Sequence, residues 1–253
     1  MTDEQRYGLS TDSMRALAAN FTPPGGRRLK IGIFVCPGFI PMDIIGAQSV
    51  FGIVGAEIHL IWKRIELVEG FPAYPTMPTT TFADCPDDLD AVVVGMIPPE
   101  MVADPDVIDF FLHQGKKAKN IIATCSGVLV VGAAGLLKGR RATSNANVVG
   151  YLADLGATPI PGSDVVIDGN LYTSGPATGS FDASLLLLAA LCSEDVARYV
   201  ELALEYDPRP PFKTGTPELA GSELAERGRQ DMLPFNSAFH RASVAAYGRV
   251  TNG

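Results

Sequence analysis

The chain has 253 residues, 47% hydrophobic and 19% charged, enough to bury a substantial core as one large domain or two small ones. Its net charge of −8 argues against a nucleic-acid surface, because phosphate neutralisation needs clustered Lys and Arg. No stretch approaches the roughly 18 uninterrupted apolar residues of a membrane span. The acidic start, MTDEQRYGLS, lacks the apolar segment of a secretory signal, so a cytoplasmic protein is expected.

Residues 1–28 close on FTPPGGRR, a Pro/Gly-rich linker that predicts an extension outside the core. Arg27, Arg28 and Lys30 form a small basic group and read as a solvated strand entry. LKIGIFV (29–35), short, β-branched and bounded by Cys36-Pro37-Gly38, predicts a buried strand. DIIGAQSVFGI (43–53) has helical apolar spacing, while EIHLIWK (57–63) and AVVVG (91–95) are strands. DPDVIDFFLHQGKK (104–117) has an Asp cap, Pro in its first turn and lysines at its end, which marks a helix. A strand at 120–124 and a helix at 126–137 follow, then a hairpin, DVVIDGNLYTS (164–174), around Asp168-Gly169. Residues 180–191 and 194–205 are helical, which closes an α/β domain over 29–207. The tail, 208–253, is polar and interrupted by prolines; it is expected to wrap the surface or mediate contacts.

Strands and helices that alternate, with the strands apolar throughout, imply a mostly parallel sheet covered on both faces. Sites in such sheets form at the carboxyl edge of the strands. That edge collects Cys36-Pro37-Gly38, Gly95-Met96-Ile97 and Cys125-Ser126.

ATCSG (123–127) is a relaxed form of the small-x-nucleophile-x-Gly turn, in which a side chain projects from a sharp strand-to-helix bend. Ala123 and Gly127 are the small residues that let the backbone segments approach. A helix N-terminus behind the thiol favours thiolate, so Cys125 is the candidate nucleophile. Cys36, Cys85 and Cys192 read instead as buried or inert thiols. With no CxxC pair, reduced cysteines are the default. A histidine base is poorly supported. Of His59, His113 and His240, only His240 follows Cys125, and ATSNANVV (142–149) offers no imidazole. The histidines also lack zinc-ligand spacing, so no metal is expected. Asp43 is the remaining acidic candidate, although from spacing alone it reads first as a helix cap.

The segments IGIFVCPGFIPMDIIGAQSVF, FADCP, IIATCSGVLVVGAAGLLKGRRAT, VVIDGNLYTSG and ALEYDPRPPF resemble, in order, the DJ-1/PfpI superfamily, and among its branches the isocyanide (isonitrile) hydratases. The resemblance spans about residues 29–212. It implies a flavodoxin-like three-layer sandwich, a homodimer, a nucleophilic Cys125 and an acidic partner at Asp43. It implies addition of water to a small-molecule isocyanide through a cysteine thioimidate, giving an N-formamide without metal or organic cofactor. Ser126, Gly95, Met96, Ile97, Ser174 and Gly175 would line the substrate and oxyanion positions. There are departures. The Gly-Gly turn of relatives reads VVGMIPPEM here, Ser126 stands for Thr, TSNA (143–146) replaces Thr-Thr-His-Trp, and SGPATG (174–179) replaces a Gly-rich turn. They suggest the same chemistry on another substituent, or a related chemistry. Three other readings stay open: a redox-responsive cysteine protein, a related cysteine hydrolase or glyoxalase, and a noncatalytic ligand-binding domain.

Overall fold

The computed structural model describes residues 11–21, 27–162 and 164–252. In chain order the elements are α1 (Asp12–Ala19), β1 (Lys30–Phe34), α2 (Met42–Ile53), β2 (Glu57–Trp62), β3 (Val68–Gly70), β4 (Tyr74–Thr76), β5 (Thr80–Thr81) and β6 (Ala91–Val94). Then come α3 (Pro99–Ala103), α4 (Pro105–Lys117), β7 (Ile121–Thr124), α5 (Gly127–Ala133), β8 (Arg141–Ala142), a 3₁₀ helix (Val149–Leu155) and β9 (Thr158–Pro159). The hairpin β10 (Val165–Asp168) and β11 (Leu171–Ser174) leads to α6 (Gly179–Leu191), α7 (Glu194–Ala203), α8 (Pro217–Ala220) and α9 (Ser222–Asn252).

One sheet runs in the order β10-β11-β7-β6-β1-β2-β5, and only the β10–β11 pair is antiparallel. Its inner strands are apolar on both faces because helices cover both. Every residue of β6, β7 and β11 is buried. Helices α1, α2, α6 and α7 pack together as one layer, and α3, α4, α5 and α9 as the other. The flavodoxin-like α/β sandwich is therefore present. Strand β1 pairs with β2 on one side and β6 on the other, through Ile31↔Ile58 and Ile31↔Ala91. The chain leaves β1 for β2 and later returns across it to β6, so the winding reverses between β1 and β6. Reversal leaves a crevice at the strands' carboxyl ends.

The sequence signals for α4 act as expected: Asp104 Oδ1 accepts the Asp106 N–H at 3.0 Å, with Pro105 in the first turn. Three expectations are corrected. Helix α5 ends at Ala133, short of 137, because Gly135 turns back with φ 76° and its N–H meets the Gly132 carbonyl at 2.8 Å. The N-terminal extension is not outside the core over its described part. Phe21 is buried and its ring stacks on Tyr199 at 4.6 Å. The linker at 22–26 and the first ten residues lie outside the described residues.

The third correction concerns the tail. It forms the long helix α9, which buries Asn236, Phe239, Ser243 and Ala246. Those positions share one helical face, and Phe239 is fully buried in the core. Pro234 sits inside this helix and made the segment read as broken. The basic group at the entry to β1 is solvent-accessible, as read, and is paired with acids. Arg27 and Lys119 bond Asp90 at 2.6 and 2.9 Å, and Lys30 bonds Asp88 at 2.8 Å.

Candidate active site

Strand β7 ends at Thr124, and Cys125 takes φ 57°, a left-handed conformation that a non-glycine residue holds only where its surroundings impose it. The imposing contacts are visible. The Cys125 N–H donates to the Ser174 carbonyl at 2.9 Å, and its own carbonyl accepts the Ser144 hydroxyl at 2.6 Å. A strand-to-helix elbow results, with α5 starting at Gly127.

Close approach of three segments requires two glycines. A Cβ on Gly127 would lie 2.4 Å from the Gly95 carbonyl oxygen, and one on Gly95 would lie 2.3 Å from the Asp43 Cβ. No side chain fits at either place. The ends of β6 and β7 and the first turn of α2 thus meet at one point, beside the β1/β6 crevice.

Asp43 is not a helix cap. Pro41 occupies the cap position of α2 and makes no side-chain capping bond. The Asp43 carboxyl instead reaches across to β6, where Oδ2 accepts the Met96 N–H at 2.6 Å. Oδ1 is buried and has no nitrogen or oxygen partner among the described residues. Burial raises the Asp43 pKa to about 6, against the lowering effect of the Met96 N–H and of the Cys125 thiol, which is near enough to donate. With no nitrogen or oxygen donor on it, Oδ1 can carry a proton.

The thiol's resting state differs from the expectation of a thiolate. Burial first, and the negative charge of Asp43 second, push Cys125 up to about 11, beyond what the Ser126 N–H, the Asn145 amide and the Ser126 hydroxyl recover. Near neutrality the pair therefore rests as thiol and carboxylate, one proton held between two groups. Cys125 is partly exposed. The other thiols differ: Cys36 is fully buried, and burial pushes Cys85 up to about 12.

The remaining expected residues divide. Ser126 flanks the sulfur, and its Oγ accepts the Asn145 amide at 2.8 Å. Gly95 supplies room for Asp43. The Met96 amide is committed to Asp43, so it is not a spare oxyanion donor. Ile97 is buried in the core, with Met96 packed against that core. Ser174 is buried and holds the elbow through its carbonyl, while its Oγ donates to Thr124 Oγ1 at 3.1 Å. The Gly175 N–H is taken by the Asp164 carbonyl at 3.3 Å.

Sequence reasoning missed Asn145. Its Nδ2 lies 3.4 Å from Cys125 Sγ and 2.8 Å from Ser126 Oγ. Its Oδ1 accepts the Asn147 N–H at 3.1 Å, which fixes the amide so that its donors face the thiol. In TSNA (143–146), which stands where the resembled family carries Thr-Thr-His-Trp, Asn145 places an amide at the histidine position. Among the described residues no three or more His, Cys, Asp or Glu side chains gather as a metal site, and no helix is long and apolar enough to cross a membrane.

The chain is similar to known proteins over most of its length. It is 37% identical to the isonitrile hydratase of Pseudomonas putida over 209 residues, 81% of this chain and 91% of that protein. Among solved structures it superposes on a ThiJ/PfpI family protein from Pseudomonas syringae with a TM-score of 0.83 and 32% identity, covering 87% of this chain and 93% of that one. Drosophila melanogaster DJ-1beta shares the fold at a TM-score of 0.64 and 21% identity, covering 72% of this chain and 100% of that one. Residues 29–190 match the DJ-1/PfpI family. The chain belongs to the DJ-1/PfpI family.

Proposed function

We propose that this chain is an isocyanide hydratase-type lyase, converting a small-molecule isocyanide, R–N≡C, to an N-formamide with Cys125 as nucleophile and Asp43 as proton carrier. The observation that supports it most is the buried Asp43 carboxyl beside the Cys125 thiol, with one oxygen free of other donors. Similarity to an isonitrile hydratase over most of both chains gives that dyad its substrate class.

The steps balance with one proton in circulation. Asp43 takes the thiol proton as Cys125 sulfur bonds to the terminal carbon, then delivers that proton to the same carbon, leaving the thioimidate R–N=CH–S–Cys125. Ionised again, Asp43 takes a proton from water as its oxygen adds to this carbon. Asp43 passes that proton to nitrogen, the C–S bond breaks as the added hydroxyl loses its proton to the departing sulfur, and R–NH–CHO leaves with the thiol restored. A carboxyl with a pKa raised by burial suits both halves, because a proton carrier works best near its operating pH. The chemistry assigned to these two residues calls for no cofactor. The Ser126 N–H is the backbone donor best placed to support developing charge, since the Met96 and Gly175 amides are spent elsewhere.

We further infer a cytoplasmic homodimer, supported by the family and by exposed apolar side chains at Met42, Leu67 and Phe71. Sedimentation at micromolar concentration tests the dimer. Formamide release from a panel of alkyl and aryl isocyanides tests the reaction. A protein that hydrates none of them, yet oxidises at Cys125 under mild peroxide, is a redox-responsive thiol protein instead.

A further inference from the structure

We propose that Asn145 is a catalytic residue of this site, a donor that never titrates, which takes up the charge of the Cys125 sulfur through Nδ2 at 3.4 Å and sets the Ser126 hydroxyl at 2.8 Å. This rests on Cys125 being the reactive thiol.

The orientation of the amide is what carries the inference. An amide side chain presents one acceptor and two donors, and either end could face the sulfur. Here the Asn147 N–H occupies Oδ1 at 3.1 Å, so Nδ2 is left facing Cys125 and Ser126. The loop is held on the elbow by an independent bond, from the Ser144 hydroxyl to the Cys125 carbonyl at 2.6 Å. The residue next to the donor thus positions the backbone of the residue that receives it.

The chemistry needs such a donor. When Asp43 removes the thiol proton, the sulfur acquires charge in a buried place beside a carboxyl group. Three donors then face it, the Ser126 N–H, the Asn145 amide and the Ser126 hydroxyl that Asn145 itself sets. An imidazole there would supply the same bond but would also exchange a proton and compete with Asp43 as base. An amide donates without exchanging, so Asp43 alone moves the proton while Asn145 keeps both of its own throughout. The site is a carboxyl–thiol–amide set rather than a Cys-His arrangement.

The test reads the thiol directly. Alkylation of Cys125 by iodoacetamide is followed against pH by peptide mass mapping in the full-length wild type, Asn145→Ala and Asn145→Asp. Asn145→Ala should alkylate about tenfold more slowly near pH 8, with its profile moved to higher pH, as expected when a donor to a charged group is lost. Asn145→Asp keeps the shape and the Asn147 bond but turns an acceptor and a negative charge toward the sulfur, so it should be slower still. Equal rates for wild type and Asn145→Ala overturn the proposal. So does Asn145→Asp matching the wild type, because a purely structural role would survive that substitution. If Asn145→Ala melts below the assay temperature, the Asp variant decides alone. A wild type that alkylates in this order but hydrates no isocyanide removes the hydratase reading and still supports the role of Asn145.

Discussion

Cys36 and Cys125 both follow a parallel strand of the same sheet, β1 and β7, and both lie at its carboxyl edge. Burial and a nearby carboxylate raise both thiols, and the two differ in access, backbone turn and bonded neighbours. Cys36 is fully buried, and burial, with the charge of Glu100, pushes its thiol well above the ordinary range. The residue after it is Pro37, which has no N–H to offer a sulfur. Cys125 is partly exposed, has a left-handed backbone, is followed by a residue whose N–H faces the sulfur, and has a carboxyl group beside it. Position at the strand end is common to both. Backbone turn, access and neighbours make one of them a candidate nucleophile.

The sharpest way to break this contrast is to remove each sulfur. Cys125→Ala should reduce isocyanide hydration to background with the fold intact by circular dichroism. Cys36→Ala should retain turnover while losing some packing in the core. Equal loss of rate from the two variants would show that the elbow is not special.

Asp43 offers the next largest effect. Asp43→Asn keeps an acceptor for the Met96 N–H but cannot cycle a proton, so kcat should fall by the 10²–10⁴ typical of a lost general acid or base. A variant that turns over at the wild-type rate would return Asp43 to a structural role. The contrast with Cys36 sharpens here, because among the described residues no carboxyl group bonds that thiol.

Much of this was legible in the chain. β1 and β6 could be read because continuous apolar runs followed by Pro or Gly leave few alternatives, and β7 with its elbow because Ala123 and Gly127 bracket Cys125. Asp43 could be located, but its role could not. Its partner is Met96, 53 residues away, and no local pattern reports a bond across the sheet edge. Asn145 was hidden for the same reason: in sequence it is one polar residue of TSNA, and only the fold brings it to the sulfur. Helix α9 failed differently. Pro234 and a polar first half disguised a helix whose second half carries Phe239 and Ala246 on one face. Local chemistry was readable, whereas long-range pairing was not.

The pH dependence should follow the dyad. One proton must be shared by Asp43 and Cys125, so reactivity needs Asp43 ionised while Cys125 keeps its proton. With Asp43 raised to about 6 and Cys125 to about 11, kcat/KM should fall about tenfold per pH unit below about 6 and level off above it. A low-pH limb near the ordinary carboxylate value of about 4 would mean that burial does not tune Asp43 in the working enzyme.

The smallest expected effect is on stability, and its sign separates a functional carboxyl from a structural one. The folded-state pKa of Asp43 lies above its ordinary 3.8, at about 6, so the folded protein holds that proton more tightly than the unfolded chain. The resulting stability is fully present below the unfolded value and is lost as pH rises through about 6. An ionised Asp43 therefore costs about 3 kcal/mol near neutrality, from a shift of about two units. Asp43→Asn removes that cost, so it should melt several degrees above wild type at pH 7.5, at about 2–4 °C per kcal/mol for a domain of this size. At pH 4 the folded wild type holds the proton already and the gain should vanish. Calorimetry at the two pH values decides it. A variant that melts below wild type at pH 7.5 would mean that the ionised carboxyl is a stabilising partner of Met96 and not a strained proton carrier.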